Sequence, residues 1–522
     1  MQAPTYTFDP YNWATITPML DELCQMSVSA DSFMEWLDQW NQLDIDVWDA
    51  YTQLKHPAYV DTTNQAAEDA YQAYVKDLYS TYIDYTQRLI MKALKLQPEA
   101  PTPRHQHLWR RWRNQVSLHQ EANLPILAEI SQLENQYRSI MWDDDGTPTY
   151  WLNRRESLND LMLQLLKLRR TLAQNSGVST YLEYRWRELN RLDYSIEDCQ
   201  SFHRAVENMI PEIAMFRASG KWPKQTYPEP EVTDNALLER GAERILRQID
   251  PAFGDIFRAM QNGYLDLGGR PNKAISNESW FFSGAGMPYI HIATGNASSL
   301  FHESGHGIHD YLSFQAQGSL WNSGGPEVFQ EFAANSMDML CWPYYGKTEG
   351  GLYDQTGAIM LKQSVLELFL GGFCVNCVMQ DAFEHWVYGE APEDVTADDL
   401  DAKWLEVQTR YQPWDNDYGS DIEKITGWQR DKFSLFRYPL YMITYSMAAV
   451  GACQMIGLTE TNQETVVANF KTALTLGNTQ PLATLFQTVG LTFPFRTQDV
   501  QETVYFIFDQ IEQSNKEKAA LK

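Results

Sequence analysis

The stretch SLFHESGHGIHDYL (299–312) limits the possible folds of this chain more than any other part of the sequence. It holds His302, His306 and His309, three of only ten histidines among 522 residues, and Glu303 follows the first of them directly. A crowded set of imidazoles beside a carboxylate is typical of a metal site. We therefore ask which local structure would bring these side chains together.

A helix over about residues 300–311 answers that question. Ser298 or Ser299 can cap its N-terminus. Residues four apart share one helical face, so His302 and His306 would project side by side. The next residue in the chain, a glutamate, points roughly 100° around the helix. This is the HExxH arrangement, in which two imidazoles bind Zn²⁺ and the glutamate reaches a metal-bound water.

A catalytic zinc ion needs a third protein ligand and keeps one position open. The next dense helical pattern is PEVFQEFAANSMDMLCW (326–342), where Pro326 suits a helix start. Its candidate acids are Glu327, Glu331 and Asp338. We expect one of these carboxylates to complete the site.

Spacing along this second helix favours some candidates over others. Asn335 and Asp338 lie four and seven residues after Glu331, on the same face, so one of them could accept a hydrogen bond from a ligand imidazole. Glu327, one turn earlier, has an ordinary explanation as an acid at a helix N-terminus. The choice of ligand stays open at this point.

The two motifs together resemble the thimet oligopeptidase and oligoendopeptidase F family of zinc peptidases. FHESGHGIH matches that family's HExGHxxH motif, including Gly305 and His309, and EFAANSMDML follows in the place of the ligand-bearing helix. The preceding GGRPNKAISNESWFFSGAGMPYIHIATG resembles the family's glycine-rich turn and strand. The resemblance is specific over about residues 260–345.

The resemblance implies a role for each of these residues. His302, His306 and Glu331 become the ligands of one Zn²⁺ per chain. Glu303 becomes the general base and later returns the proton. His309 lies on the ligand face, but the family does not use it as a ligand, so it is expected to be a structural or outer-shell residue, like Asn335 and Asp338.

A late helix is expected to supply hydrogen-bond donors to the oxyanion, because the family uses tyrosines there. Tyr438, Tyr441 and Tyr445 are spaced to share one face. Tyr441 and Tyr445 match the family's pattern best, whereas we interpret Tyr438 as a core residue. The family has a histidine shortly before these tyrosines, and this chain has Phe436 instead, so part of the oxyanion site must differ.

The predicted fold is mainly α, with a small β element next to the HExxH helix. The β element is indicated by two strand-like runs around the glycine-rich break in ESWFFSGAGMPYIHIATG (278–295). We expect a mainly helical N-terminal part (1–240) and a catalytic part (241–522) that form one continuous architecture. The resemblance implies a zincin-like oligopeptidase with a deep substrate channel between helical halves.

Composition limits the classes of binding partner and the cellular compartment that we expect for this chain. The net charge of −27 argues against a nucleic-acid partner, because phosphate binding needs a basic face. The uncharged run at 438–458 is long enough to span a bilayer but rich in tyrosine and small polar residues, so we expect a buried helix and no membrane partner. Six scattered cysteines and the lack of a signal-peptide pattern predict a cytoplasmic protein.

The sequence therefore predicts a zinc metalloendopeptidase that hydrolyses short peptides through a zinc-activated water, with Glu303 as the base. One alternative is a zinc carboxypeptidase or dipeptidyl carboxypeptidase of similar helical build. Another is a catalytically silent peptide-binding relative, which the missing histidine at position 436 allows and the intact Glu303 argues against.

Overall fold

The computed structural model describes residues 6–142, 144, 146–222, 234–293, 297–414, 420–430, 434–493 and 496–521. Helices dominate, as predicted. Those before the sheet are α1 (Thr17–Gln25), α2 (Phe33–Val60), α3 (Gln65–Asp77), α4 (Ile83–Leu96), α5 (Gln106–Leu118), α6 (Leu124–Trp142), α7 (Pro148–Leu152), α8 (Arg155–Asn175), α9 (Tyr181–Glu188), α10 (Ile196–Ala218), α11 (Asn235–Ile249) and α12 (Pro251–Met260).

The helices after the sheet include the two predicted to hold the metal. They are α13 (Ala297–Gln317), α14 (Glu327–Leu340), α15 (Gln355–Glu367), α16 (Val378–Gly389), α17 (Ala397–Tyr411), α18 (Asp421–Ile425), α19 (Ser434–Arg437), α20 (Met442–Leu476), α21 (Leu482–Val489) and α22 (Thr497–Ala520). A π-helical segment, Leu368–Cys377, joins α15 to α16. The predicted helices around the metal site are thus present, although α13 continues past its expected end near residue 311.

The sheet has three short strands in the order β1–β3–β2. β2 (Asn277–Phe282) and β3 (Met287–Ile292) form the antiparallel hairpin predicted around the glycine-rich break. β1 (Leu265–Asp266) pairs parallel to β3, and sequence patterning did not predict it because it is only two residues long. Both strands of the hairpin pack against α13, so the sheet supports the HExxH helix from one side.

Two large hydrophobic cores divide the chain. Most buried apolar residues between positions 8 and 112 form one core, and most of those from 118 to 511 form the other, with a small third cluster of Trp280, Phe282 and Tyr289 on the sheet. The predicted boundary between 240 and 241 lies inside α11, whose apolar face belongs to the second core. The division into 1–240 and 241–522 stays a prediction, whereas the cores separate between residues 112 and 118.

The uncharged run at 438–458 lies mostly in α20, which packs against α13, α14 and α21. Two helical stretches, Gln355–Gly389 and Met442–Thr479, are long and apolar enough to cross a membrane by length and composition. Half or more of the most apolar window in each is buried within the protein. Buried core helices meet the same criteria of length and composition, so these two stretches are weak evidence for a membrane span.

Candidate metal centre

His302 and His306 project from one face of α13, with ring centroids 5.0 Å apart and planes at 85°. Glu331 faces them from α14. Its Oε2 lies 3.6 Å from His302 Nε2 and 3.7 Å from His306 Nε2. The structure therefore brings together the three residues that the family resemblance implied as ligands.

The geometry and chemistry of this trio fit a divalent metal. Zinc bonds of about 2.0–2.2 Å in a tetrahedral site put ligand atoms roughly 3.3 Å apart, close to the observed separations. Glu331 Oε2 is buried and has no hydrogen-bond partner among the described residues. A buried carboxylate oxygen without a partner is costly, and a cation at the centre of the trio would remove that cost.

Asp338 supports one of the imidazoles from behind. Its Oδ2 lies 3.1 Å from His302 Nδ1, so that nitrogen donates, and in the neutral ring that can bind a metal Nε2 carries the lone pair towards Glu331. Burial opposes protonation of His302, but Asp338 outweighs it and raises the imidazole pKa to about 9. Asn335 is fully buried on the same helix, and its side-chain amide has no hydrogen-bond partner among the described residues.

Glu303 is buried next to the ligands without joining them. Only 7% of the residue is exposed, and it is not among the three side chains whose donor atoms converge. Burial raises the pKa of Glu303 to about 7, and the nearby Glu331 carboxylate adds to the effect. A carboxyl group with such a pKa can both accept and return a proton near neutrality.

Tyr441 and Tyr445 reach the same site from the start of α20. The Tyr441 hydroxyl donates to Glu331 Oε1 at 2.9 Å, and the two tyrosine rings lie 5.5 Å apart. Tyr445 stacks on Phe373, with centroids 5.4 Å apart. Burial, with the Glu331 carboxylate next in importance, raises the pKa of both phenols well above 10, so both stay protonated donors.

The prediction that Tyr438 is a core residue was wrong, because Tyr438 is 41% exposed. The helix expected to carry all three tyrosines is interrupted: α19 ends at Arg437, and Leu440 has a positive φ of 65°. This left-handed residue turns the backbone, so Tyr438 and Tyr441 do not share a helical face.

The backbone of residues 434–441, here called the tyrosine segment, is held by three arginines from the first 200 residues, two of them buried. Arg169 donates to the carbonyls of residues 435 and 436, and Arg185 donates to that of residue 439. Arg191 donates to Leu440 O at 2.5 Å, and Glu384 of α16 accepts from Leu440 N. These contacts fix where Tyr441 starts α20, and no local motif in the sequence signalled them.

Phe436, where the resemblance implied a histidine, belongs to the core. Its ring stacks on Tyr137 with centroids 4.0 Å apart, and Trp428 lies nearly parallel to it at 6.1 Å. The residue is fully buried. Its ring therefore stabilises the tyrosine segment by packing, a role that a histidine would fill less well.

The two remaining candidates lie outside the ligand cluster. The Glu327 carboxylate lies 3.8 Å from Arg191 Nη2. His309 packs edge-on against Phe329, with centroids 5.5 Å apart, and burial lowers its pKa to about 4. Glu327 thus has a counter-ion, and His309 is a neutral buried ring, as expected of a structural histidine.

Gly305, the extra glycine of the motif, lies where α13 and α14 touch. A Cβ there would come within 2.6 Å of Ala334 Cα and 2.9 Å of Ala333 O. Both atoms belong to the backbone of α14 and cannot move aside independently. The close approach of the two helices, and so the reach of Glu331 to the histidines, depends on the missing side chain.

Gly305→Ala is therefore expected to destabilise the protein by about 1–3 kcal/mol, because it forces α13 and α14 apart. It should also weaken metal binding, since Glu331 moves with α14. Urea unfolding and metal analysis would measure both effects. Gly457→Ala in α20 is the control: a Cβ there meets no described atom within 4 Å, and stability should stay equal or rise by up to about 1 kcal/mol. Equal behaviour of the two variants would contradict the close-contact argument.

Comparison with known proteins gives a consistent result. The sequence profile of peptidase family M3 matches residues 292–504. No curated protein sequence matches the chain. Among solved structures, PZ peptidase A with an inhibitor superposes with a TM-score of 0.86 at 18% identity, over 97% of this chain and 98% of that one.

Two further structures are informative. A putative oligoendopeptidase F from Bacillus anthracis gives a TM-score of 0.80 at 16% identity, over 98% of each chain. A carboxypeptidase from Pyrococcus furiosus gives 0.61 at 13%, over 96% of this chain and all of that one. At these identities the likeness is one of fold, and it extends along the whole length of the chain.

Proposed function

Since this chain belongs to peptidase family M3, whose profile covers its metal centre, it is a metallopeptidase, and we propose that it is a zinc oligoendopeptidase that cuts short peptides. The single observation that carries the proposal is the convergence of His302, His306 and Glu331 on one point. Two nitrogens and one carboxylate oxygen leave a fourth position for substrate or water, as in catalytic zinc sites.

The zinc ion would be held by these three side chains, and when bound it supplies Lewis acidity that acidifies water and polarises a carbonyl oxygen. The protein's own residues do the rest. Asp338 keeps His302 in the tautomer whose Nε2 can ligate, and Tyr441 holds Glu331 through its other oxygen. Both contacts orient ligands before substrate arrives.

Glu303 is proposed to move the proton. As water attacks the scissile carbonyl carbon, one water proton passes to the Glu303 carboxylate, and it then passes to the amide nitrogen as the C–N bond breaks. The products are a new carboxyl terminus and a new amine. The position of Glu303 supports this role, because the carboxylate is buried beside the three ligands without being one of them.

Tyr441 and Tyr445 are proposed to donate hydrogen bonds to the oxygen that becomes negative during attack, for which Tyr441 turns its single O–H proton from Glu331 Oε1 to the substrate. Their raised phenol pKa values keep the donors protonated. The tyrosine segment fixes the backbone at Tyr441 in advance, so only a rotation of that hydroxyl is needed when the charge forms. With Phe436 packed in the core, these two hydroxyls carry this task without a neighbouring histidine.

Several observations support short peptides as substrates and a reducing compartment. The fold follows that of PZ peptidase A, whose structure was solved with an inhibitor, and of a putative oligoendopeptidase F. The structure describes all six cysteines and joins none of them in a disulfide, as expected of a cytoplasmic protein. A deep channel between helical parts, which would exclude folded proteins, belongs to the same proposal.

We expect the purified protein to cleave short internally quenched peptides, to lose that activity with a chelator, and to leave unfolded casein-like chains largely intact. The reason is a metal-dependent site reached only by a narrow substrate. Fluorescence assays and gel analysis would measure both. Efficient digestion of casein would contradict the size limit, and absence of turnover on a mixed peptide library would instead favour the silent peptide-binding relative.

The similarity in fold to a carboxypeptidase makes carboxypeptidase activity the second candidate function. Matched peptides with free and amidated C-termini separate the two. An endopeptidase cuts both at the same internal bond, whereas a carboxypeptidase releases C-terminal residues from the free acid alone. Mass spectrometry of the products identifies the bond in each case.

A further inference from the structure

A second group of metal-ligating side chains lies behind the tyrosine segment. Cys199 and His203 are four residues apart on α10, and Asp381 and His385 are four residues apart on α16. Each helix thus presents a pair from one face to the other. The ligand atoms of all four lie within 4.8 Å of one another, and all four residues are buried.

The distances between these ligand atoms suit a small, tetrahedrally coordinated ion. Cys199 Sγ lies 3.6 Å from His203 Nε2 and 3.5 Å from Asp381 Oδ2. His385 Nε2 lies 3.2 Å from the same Asp381 oxygen. Zinc bonds of about 2.0–2.3 Å place neighbouring ligand atoms roughly 3.3–3.6 Å apart. Of these four contacts, the 2.7 Å contact between His203 and Asp381 is the short one, and it would have to lengthen by roughly half an ångström to admit the ion.

The polar atoms of the cluster are not satisfied by the protein alone. His385 Nδ1 and Asp381 Oδ1 have no hydrogen-bond partner among the described residues, and His385 Nε2 has only the 3.2 Å contact with Asp381 Oδ2. Unsatisfied buried polar groups of this kind cost about 1–3 kcal/mol each. Two of the four residues therefore carry buried polar atoms that call for a further partner.

A cysteine nucleophile does not explain the arrangement. In a catalytic Cys–His–Asp set, the cysteine and the carboxylate contact opposite nitrogens of the imidazole. Here Cys199 and Asp381 approach the same nitrogen, His203 Nε2. The thiol is also fully buried, so no substrate reaches it.

We propose that Cys199, His203, Asp381 and His385 bind a second zinc ion, which has a structural role and leaves no open position. A thiolate and a carboxylate balance the charge of Zn²⁺, so the buried site as a whole is neutral. Binding forms one Zn–S, two Zn–N and one Zn–O bond. The thiol proton and any proton on the coordinating nitrogens are released to solvent.

The electrostatics of the ion-free cluster agree with this assignment. Burial, and then the Asp381 carboxylate, raise the pKa of the Cys199 thiol well above 9, so the thiol stays protonated until a cation replaces the proton. Burial opposes ionisation of Asp381, but His385 and His203 outweigh it and hold that pKa well below its usual value. Arg191, the nearby cation, favours the thiolate form of Cys199.

The second zinc would join two parts of the chain that support the active site. It would tie α10, from the first half, to α16, whose Glu384 accepts a hydrogen bond from Leu440 N. Leu440 immediately precedes Tyr441. The ion would therefore stabilise the tyrosine segment without touching substrate.

The test uses the full-length protein. We expect about two zinc ions per chain by elemental analysis, and sulfur at about 2.3 Å in zinc-edge X-ray absorption, because only the second site has a thiolate ligand. The cobalt-substituted protein should show a thiolate-to-cobalt charge-transfer band. Cys199→Ala should abolish that band and reduce the zinc content to about one ion per chain, whereas His306→Ala should lose the other zinc and keep the band.

Cys374→Ala, another buried thiol, is the matched control and should keep both the zinc content and the band. One zinc per wild-type chain with no sulfur scatterer would overturn the proposal, and this measurement does not depend on any variant folding. A band that persists in Cys199→Ala would overturn it as well. The second site is detected through its metal–sulfur bond, without any activity assay. A negative result for this site can therefore be told apart from a lack of the proposed peptidase activity.

Discussion

Glu303→Gln is expected to leave the metal in place and to lower kcat by about 10²–10⁴-fold. The glutamate flanks His302 but is not one of the three converging ligands, so the amide should not disturb the trio. An amide of the same size cannot accept the water proton or return it to the departing amine. Steady-state kinetics on a quenched peptide, together with metal analysis, would show whether the variant loses kcat while it keeps its metal.

Inhibitor affinity serves as the control for this variant. Because the substitution keeps the volume of the side chain, a substrate-like inhibitor should bind with nearly unchanged Kd. A variant with intact metal and near-normal kcat would show that another group moves the proton. Loss of metal would show instead that Glu303 supports the ligands.

Glu331→Gln is expected to have the second large effect, on metal affinity and through it on activity. Changes in residues that only orient a ligand cost about 10–100-fold in metal affinity, and removing a carboxylate ligand should cost more than that. The amide oxygen is neutral, so the site loses its only negative ligand. Competition with a chelator of known affinity measures the change directly.

Glu327→Gln is the matched comparison, one helical turn away on α14. Its carboxylate lies near Arg191, outside the ligand cluster, so metal affinity should change far less. Similar metal affinity and activity in the two variants would mean that Glu331 is not the third ligand. A loss confined to Glu327→Gln would mean that the other acid binds the metal.

The metal helix could be predicted from the sequence because its signals are local. The HESGH spacing places two imidazoles on one face whatever the rest of the chain does. The cap of α10 is equally local: Ser195 and Asp198 form a capping box within four consecutive residues. The choice between Glu331 and Glu327 needed the family resemblance, since both lie on the same predicted helix.

The surroundings of the tyrosines could not be predicted, because they depend on contacts between distant parts of the chain. The positive φ of Leu440 has no glycine or asparagine to signal it, and it moves Tyr438 to the surface. The guanidinium groups that hold the tyrosine segment lie some 250 residues earlier in the chain. The group of Cys199, His203, Asp381 and His385 could not be predicted for the same reason. Helices α10 and α16 each carry two of the four residues, and neither pair alone is a recognisable motif.

The arginine contacts of the tyrosine segment also determine when this part of the protein can fold during synthesis. Arg169 is bonded to a carbonyl 267 residues later in the chain. At about 5–20 residues per second, the ribosome needs roughly 10–50 s to make the partner after the arginine. During that interval, the N-terminal helices cannot bury this charge in its native place. The last step of folding therefore waits for the C-terminal third of the chain, although the ligand-bearing helices are translated earlier.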